Sequence, residues 1–190
     1  MHSGKLLREL LAAEHSKAQC DRIVKYIGRD KKRFAELMHL FLGDEYRITQ
    51  RASWPLSYCV EAHPELIDPY FKPLLDNLAK KNVHGAVIRN TVRLLQDVEI
   101  PKRYQGRVMN ICFDFIQSPE TATAVRAFSF TVLQHLSRDY PDIRPELKLI
   151  IEEQWDRLTP GVRARARRVL DSMRPKRRTA RSSDGSTKDI

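Results

Sequence analysis

The side chains that could do chemistry in this sequence are scattered, and only one pair has a spacing typical of a metal site. Cys59 and His63 are four residues apart, so on a helix both could reach one metal ion. A metal site needs more than two ligands, and His39, His84 and His135 stand alone in the sequence. We therefore expect no metal ion and no other cofactor.

Motifs for nucleophilic and phosphoryl chemistry are absent from the sequence. It contains no GxSxG, no glycine-rich phosphate loop and no HExxH. The three cysteines, Cys20, Cys59 and Cys112, are odd in number and widely spaced, which is typical of buried thiols. The sequence thus leans towards a protein without catalysis of its own.

Four arginines recur at a nearly constant interval, which reveals an internal repeat. They are Arg51, Arg89, Arg126 and Arg163, and the apolar runs behind them begin at Leu56, Leu94, Val132 and Val169. Those apolar positions are 38, 38 and 37 residues apart. Such a period holds two helices and two short turns. One pair cannot bury its apolar face alone, so the sequence predicts an all-α superhelix of stacked antiparallel helix pairs.

Turn residues and caps set the predicted helix boundaries. Ser16 and Asp30 are N-caps, and Gly28 ends the helix between them. The predicted helices cover 3–13, 17–27, 31–42, 45–62, 65–80, 83–99, 102–116, 120–138, 145–158 and 162–173. We expect 1–42 to be N-terminal capping helices, 43–173 to be repeats of the same domain, and 174–190 to be a basic flexible tail.

Three segments at the start of second helices resemble the HEAT and armadillo class of repeats, of the small bacterial kind. They are Ala86-Val87-Ile88-Arg89, Thr123-Ala124-Val125-Arg126 and Pro160-Gly161-Val162-Arg163. The resemblance implies that second helices line a concave side. It also implies a ladder in which each arginine pairs with an acidic residue or a carbonyl of a neighbouring repeat. A row of phosphate-binding arginines is the alternative, and we favour the ladder.

Two rows of residues beside the apolar seam are expected to face the concave groove. One row is Tyr58, Gln96, Gln134 and Asp171, and the other is Pro55, Arg93, Thr131 and Arg168. From these, Tyr58, Arg93, Gln96, Gln134 and Arg168 are the candidate binding residues. An ordinary solvated helix face is the competing interpretation. Trp54 lies one turn before Tyr58, and we expect it in the core.

The positive charge of the chain is concentrated at its C-terminal end. The net charge is +10, and from Arg163 onward ten Lys and Arg stand against three Asp. The basic candidates are Arg163, Arg165, Arg167, Lys176, Arg177 and Arg178. A basic arm beside a folded module can contact phosphates in a salt-sensitive way. It can equally keep a protein soluble.

These observations favour a non-catalytic scaffold or adaptor that binds a protein partner through its concave face. The alternative is a nucleic-acid-binding solenoid, similar in architecture to the HEAT-like alkylpurine DNA glycosylases, and a lyase or chaperone for a chromophore is a third class on fold analogy. No apolar run is long enough for a membrane span, and Arg8 and Glu9 interrupt the N-terminal apolar stretch. We expect a cytoplasmic protein that does not enter membranes.

Overall fold

The computed structural model describes residues 3–80 and 82–174, and this part of the chain is an all-α helical repeat superhelix. Its α-helices are α1 (Ser3–Ala13), α2 (Lys17–Ile27), α3 (Lys31–Leu42), α4 (Tyr46–Ala62), α5 (Phe71–Leu78), α6 (Gly85–Leu94), α7 (Lys102–Gln117), α8 (Thr123–Leu136), α9 (Arg144–Gln154) and α10 (Pro160–Met173). The predicted basic tail lies outside these residues, apart from Arg174.

Local sequence signals explain the first boundaries. The Ser16 hydroxyl accepts a hydrogen bond from the Gln19 amide, and the Asp30 carboxylate accepts from the amides of Lys32 and Arg33. Gly28 follows α2 with a positive φ of 49°, a conformation that glycine adopts without strain. The predicted bounds of α2 and α3 are therefore confirmed.

Four predicted helices differ from the structure. The helix predicted over 120–138 is α8, which begins only at Thr123, and the helix predicted over 145–158 is α9, which ends at Gln154 and is followed by a 3-10 turn. The other two differ more. The segment predicted as one helix over 65–80 is a 3-10 helix, Pro64–Tyr70, followed by the short α5. Pro69 has no amide hydrogen to donate and disfavours α conformation in the residue before it, so the α-helix starts only afterwards. The helix predicted over 83–99 covers only Gly85–Leu94, because the backbone then turns and the Gln96 amide bonds to the Arg93 carbonyl.

The helices pack in two layers. The outer layer is α1, α3, α5, α7 and α9, and the inner layer is α2, α4, α6, α8 and α10; each helix contacts the next of its own layer. Thus α1 packs on α3 and α2 on α4, in the same way as the later pairs. The division of the domain at residue 42 stays a prediction.

One continuous apolar core lies between the layers, as expected for stacked repeats. Its largest fully buried side chains include Phe34 and Phe41 from α3, Phe71 from α5 and Phe130 from α8. Within residues 3–80 and 82–174, no helix combines the length and apolar character that crossing a bilayer requires. The packing of α4, α6 and α8 side by side leaves their outward faces to form the candidate site.

Candidate functional site

Three of the four recurring arginines donate hydrogen bonds to backbone carbonyls, and we call these contacts arginine braces; the fourth arginine forms none within the described part of the chain. Arg51 donates to the carbonyls of Leu11 and Ala12 at the end of α1, at 3.0 and 2.6 Å. Arg126 donates to the Ser118 carbonyl at 2.7 Å. Cationic donors there satisfy carbonyls that a helix C-terminus leaves unpaired and complement its dipole.

Arg163 forms the third brace, with bonds of 3.0 and 2.9 Å to the carbonyls of Trp155 and Asp156. The acceptors of Arg126 and Arg163 belong to the preceding helix of the same pair, whereas Arg51 reaches the neighbouring pair. The prediction of a ladder between neighbouring repeats is therefore confirmed only for Arg51 and is wrong for Arg126 and Arg163, which bond within their own pair.

Arg89 is the exception. Its side chain is exposed, and no hydrogen bond or ion pair to any residue in 3–80 or 82–174 holds its guanidinium. Arg89 instead lines a pocket of about 270 Å³ between α4, α6 and α8. The other lining residues are His15, Gln50, Ser53, Trp54, Ala86, Asn90, Arg93 and Phe128.

The floor of this pocket is a polar brace between α4 and α6. The amide nitrogen of Asn90 donates to the Ser53 hydroxyl and to the Ala86 carbonyl, both at 2.9 Å. Asn90 and Ser53 are 4% and 1% exposed, so water competes little with these bonds. The brace fixes the spacing of the two helices and with it the width of the pocket.

Aromatic side chains form the walls of the pocket. Trp54 is half-buried and not in the core, which corrects the sequence-based expectation. It lies at the edge of the His15 ring with 5.5 Å between centroids, and its ring is 6.5 Å from that of Tyr58. Phe128 of α8, also half-buried, closes the opposite side. The pocket therefore combines flat apolar walls with an unpaired cation.

The predicted binding residues lie beside this pocket on the inner layer. Tyr58 is half-buried, with the Lys17 ammonium 4.6 Å and the Arg93 guanidinium 5.0 Å from its ring centroid. Arg93 also lies 3.6 Å from the Glu61 carboxylate. Gln96, one of the predicted groove residues, is half-buried past the end of α6.

The remaining groove candidates differ from one another in how exposed their side chains are. Gln134 is half-buried and Arg168 is exposed, as a groove face requires. Pro55 and Thr131, which the row spacing placed in the groove, are buried instead, because they stand at the contacts of α4 and α8 with their neighbours.

One side chain of the basic end, on α10, reaches across the inner layer towards α6. Arg165 donates to the Thr131 hydroxyl at 2.6 Å and lies 3.5 Å from the Gln96 side-chain oxygen, so it spans from α10 towards the end of α6. Arg167 instead stacks over the Trp155 ring, 5.7 Å from its centroid. The other basic candidates, Lys176, Arg177 and Arg178, lie outside the described residues.

The electrostatics beyond the pocket are mixed in sign. Partial desolvation, and then the nearby Glu61 carboxylate, raise the pKa of Asp97 above its usual range. Desolvation, and then the Arg138 guanidinium, lower the pKa of His135, and the nearby Asp97 carboxylate opposes this change. The inner layer is thus cationic at the pocket and carries carboxylates immediately beside it.

Neither metal binding nor thiol chemistry is supported by the described residues. Among residues 3–80 and 82–174, no three His, Cys, Asp or Glu side chains come together as metal ligands. His63 accepts a hydrogen bond from Arg29, and Cys59 is buried. Burial raises the pKa of Cys20 to about 11 and of Cys59 to about 12, so both stay protonated thiols at neutral pH.

The sequence predicted candidate residues on the inner-layer helices but did not predict the pocket. Arg89 was expected in the ladder. Phe128, on α8, and His15, between α1 and α2, are far apart in the sequence and form no motif. One signal was available: Asn90 and Ser53 are polar residues 37 positions apart on the core side of their helices, which is typical of a buried inter-repeat bond.

One comparison with known proteins, the one with family models, bears on this architecture. No curated protein and no solved structure matches the chain at a significant level. A family model described as a HEAT repeat domain matches residues 7–173, which is most of the chain. With its stacked helix pairs and arginine braces, the chain belongs to the HEAT repeat family.

Proposed function

We propose that this HEAT repeat protein is a non-catalytic scaffold that binds a protein partner along the inner layer, the side that the HEAT resemblance implies is concave. The observation that carries the proposal is the pocket between α4, α6 and α8, where half-buried aromatic residues surround an unpaired arginine. Aromatic residues and arginine are the side chains that most often dominate the binding energy of protein interfaces.

The surroundings of the pocket support the same proposal. Arg93 and Tyr58 continue the surface towards the ends of α4 and α6, and Gln96 and Gln134 add half-exposed amides that can donate and accept hydrogen bonds. A centre enriched in aromatic residues and arginine, with a polar rim around it, is the usual composition of a protein interface.

Nucleic acid is the second candidate, because Arg89, Arg165 and Arg168 on the inner layer form no ion pair with a carboxylate among residues 3–80 and 82–174. Duplex binding neutralises several phosphates at once, so its affinity falls steeply with salt. A titration with duplex DNA at about 50 and about 200 mM salt tests this candidate. Strongly salt-dependent binding that an Arg89→Glu and Arg168→Glu double variant loses would favour it over a protein partner.

Photo-cross-linking in cells of the source organism tests the scaffold proposal directly. A photoreactive amino acid is placed at Gln96 or Gln134, and the matched controls carry it at Asn110 or Asp114, which are exposed on α7 of the outer layer. We expect one protein to cross-link from the inner positions, to be identified by mass spectrometry, and to be absent from the controls. Equal cross-linking from both layers, or none from the inner one, would contradict the proposal.

A further inference from the structure

The pocket has two cationic side chains on one wall, aromatic rings on others and a polar floor. Arg89 and Arg93 are one turn apart on α6, so they lie on the same face of the helix. Arg93 lies near Glu61, whereas Arg89 has no partner among residues 3–80 and 82–174. One positive charge at the pocket therefore remains available to an incoming anion.

The size of the pocket restricts what it can hold. Pockets for small molecules and cofactors usually enclose roughly 300–1,000 Å³. At about 270 Å³, this one is just below that range and suits a single large side chain with the group beside it. An anchor residue of an extended chain fits this description better than a free cofactor does.

The charges around the pocket indicate the chemistry of that chain. Glu61 lies 3.6 Å from Arg93, and Asp97 follows on the same side, with its pKa raised partly by Glu61. A polyphosphate backbone, with a negative charge at every unit, would meet these carboxylates at close range. A peptide can place one carboxylate at Arg89 and neutral residues elsewhere.

We infer that the pocket is the anchor site for an acidic peptide segment of the protein partner. An aromatic side chain of the segment packs between Trp54 and Phe128, and an adjacent carboxylate forms a charge-assisted, bidentate pair with the Arg89 guanidinium. The inference rests on the proposed function and deepens it, because it assigns the composition of the segment that the scaffold recognises.

The test uses the full chain and a display library of random linear peptides. We expect the selected peptides to share an aromatic residue next to Asp or Glu. Trp155→Phe leaves Trp54 as the single tryptophan, so its fluorescence reports binding in the pocket of the otherwise unchanged protein. Arg89→Glu in this background should weaken binding by roughly tenfold to a hundredfold, because a hydrogen-bonded charge pair becomes a repulsion.

Arg157→Glu is the matched control, since Arg157 is exposed at the far end of the stack and the charge change is the same. It should bind the selected peptides as the parent does. Because Arg89 has no partner among the described residues, Arg89→Glu should keep the parent circular dichroism spectrum and melting temperature.

Three results would overturn the inference: a library that yields no binder, selected peptides without acidic residues, and equal binding by the Arg89→Glu variant. Random-sequence DNA that displaces the peptides in an Arg89-dependent way would overturn it too and would assign the pocket to phosphates. In each case, cross-linking from Gln96 and Gln134 would show separately whether the scaffold proposal survives.

Discussion

Replacing Arg51 with alanine removes two hydrogen bonds that tie the inner helix α4 to the carbonyl end of α1. A net hydrogen bond with a charged partner contributes about 1.5–3 kcal/mol, and a cation at a helix C-terminus adds about 0.3–1 kcal/mol. The Ala12 carbonyl is exposed and regains water, whereas the Leu11 carbonyl is more protected. We therefore expect Arg51→Ala to lower the free energy of unfolding by about 2 kcal/mol.

Arg89→Ala is the matched variant, because Arg89 occupies the corresponding repeat position with an exposed side chain and no described partner. Its free energy of unfolding should change by no more than about 0.5 kcal/mol. Urea denaturation followed by far-UV circular dichroism measures both variants under the same conditions. In thermal melts, the difference for a chain of this size should be about 4–8 °C.

Equal stability of the Arg51→Ala and Arg89→Ala variants would refute this reasoning. If Arg51→Ala and Arg89→Ala unfold at the same urea concentration, the carbonyl bonds contribute nothing net, and the division of the arginines into braces and a binding residue is wrong. Arg163→Ala, which also removes two carbonyl bonds, should behave like Arg51→Ala and provides an independent repetition.

Two other variants test the electrostatics and the backbone. The pKa of Asp97 in the folded state lies above its value of about 4 in the unfolded state. Ionised Asp97 therefore destabilises the fold fully at pH values above the folded pKa, and this effect is absent below about pH 4. Asp97→Asn should be more stable than the parent at pH 7, and the difference between their urea midpoints should shrink towards pH 4. Gly28→Ala should lower the free energy of unfolding by about 1 kcal/mol in the same assay, because alanine is strained at the positive φ of this position. Gly106→Ala, whose added methyl group enters open space on α7, should raise the free energy of unfolding by about 0.5–1 kcal/mol. The reverse order of stability would refute the backbone argument.

The fold was predictable because the period and the helix boundaries of a helical repeat are set by local sequence signals. The spacing of Arg51, Arg89, Arg126 and Arg163 revealed the helix pairs, and caps such as Ser16 and Asp30 set boundaries to the residue. The prediction was wrong over 65–80, where the apolar pattern continues but Pro69 disrupts the α-helical hydrogen bonds.

The candidate site was only partly predictable, for a different physical reason. The repeat offset predicts which residues hold equivalent positions in successive repeats, but not which of them are exposed: Tyr58 and Arg93 are half-buried beside each other, whereas Thr131 is buried. It cannot predict which member of a periodic set finds a carbonyl, because that depends on where the preceding helix ends. The acceptor available to Arg126 is the Ser118 carbonyl directly after α7, and Arg89 has no such acceptor among the described residues.

The arginine braces join residues at different separations along the chain, and this difference affects the order of folding. The bonds of Arg126 to Ser118 and of Arg163 to Trp155 each close a loop of eight residues, whereas Arg51 and Leu11 are 40 residues apart. By loop-closure entropy alone, the longer contact costs about 1.4 kcal/mol more to form. The pairs α7–α8 and α9–α10 can therefore close early as local units, and the N-terminal brace forms only after the chain between its ends is organised.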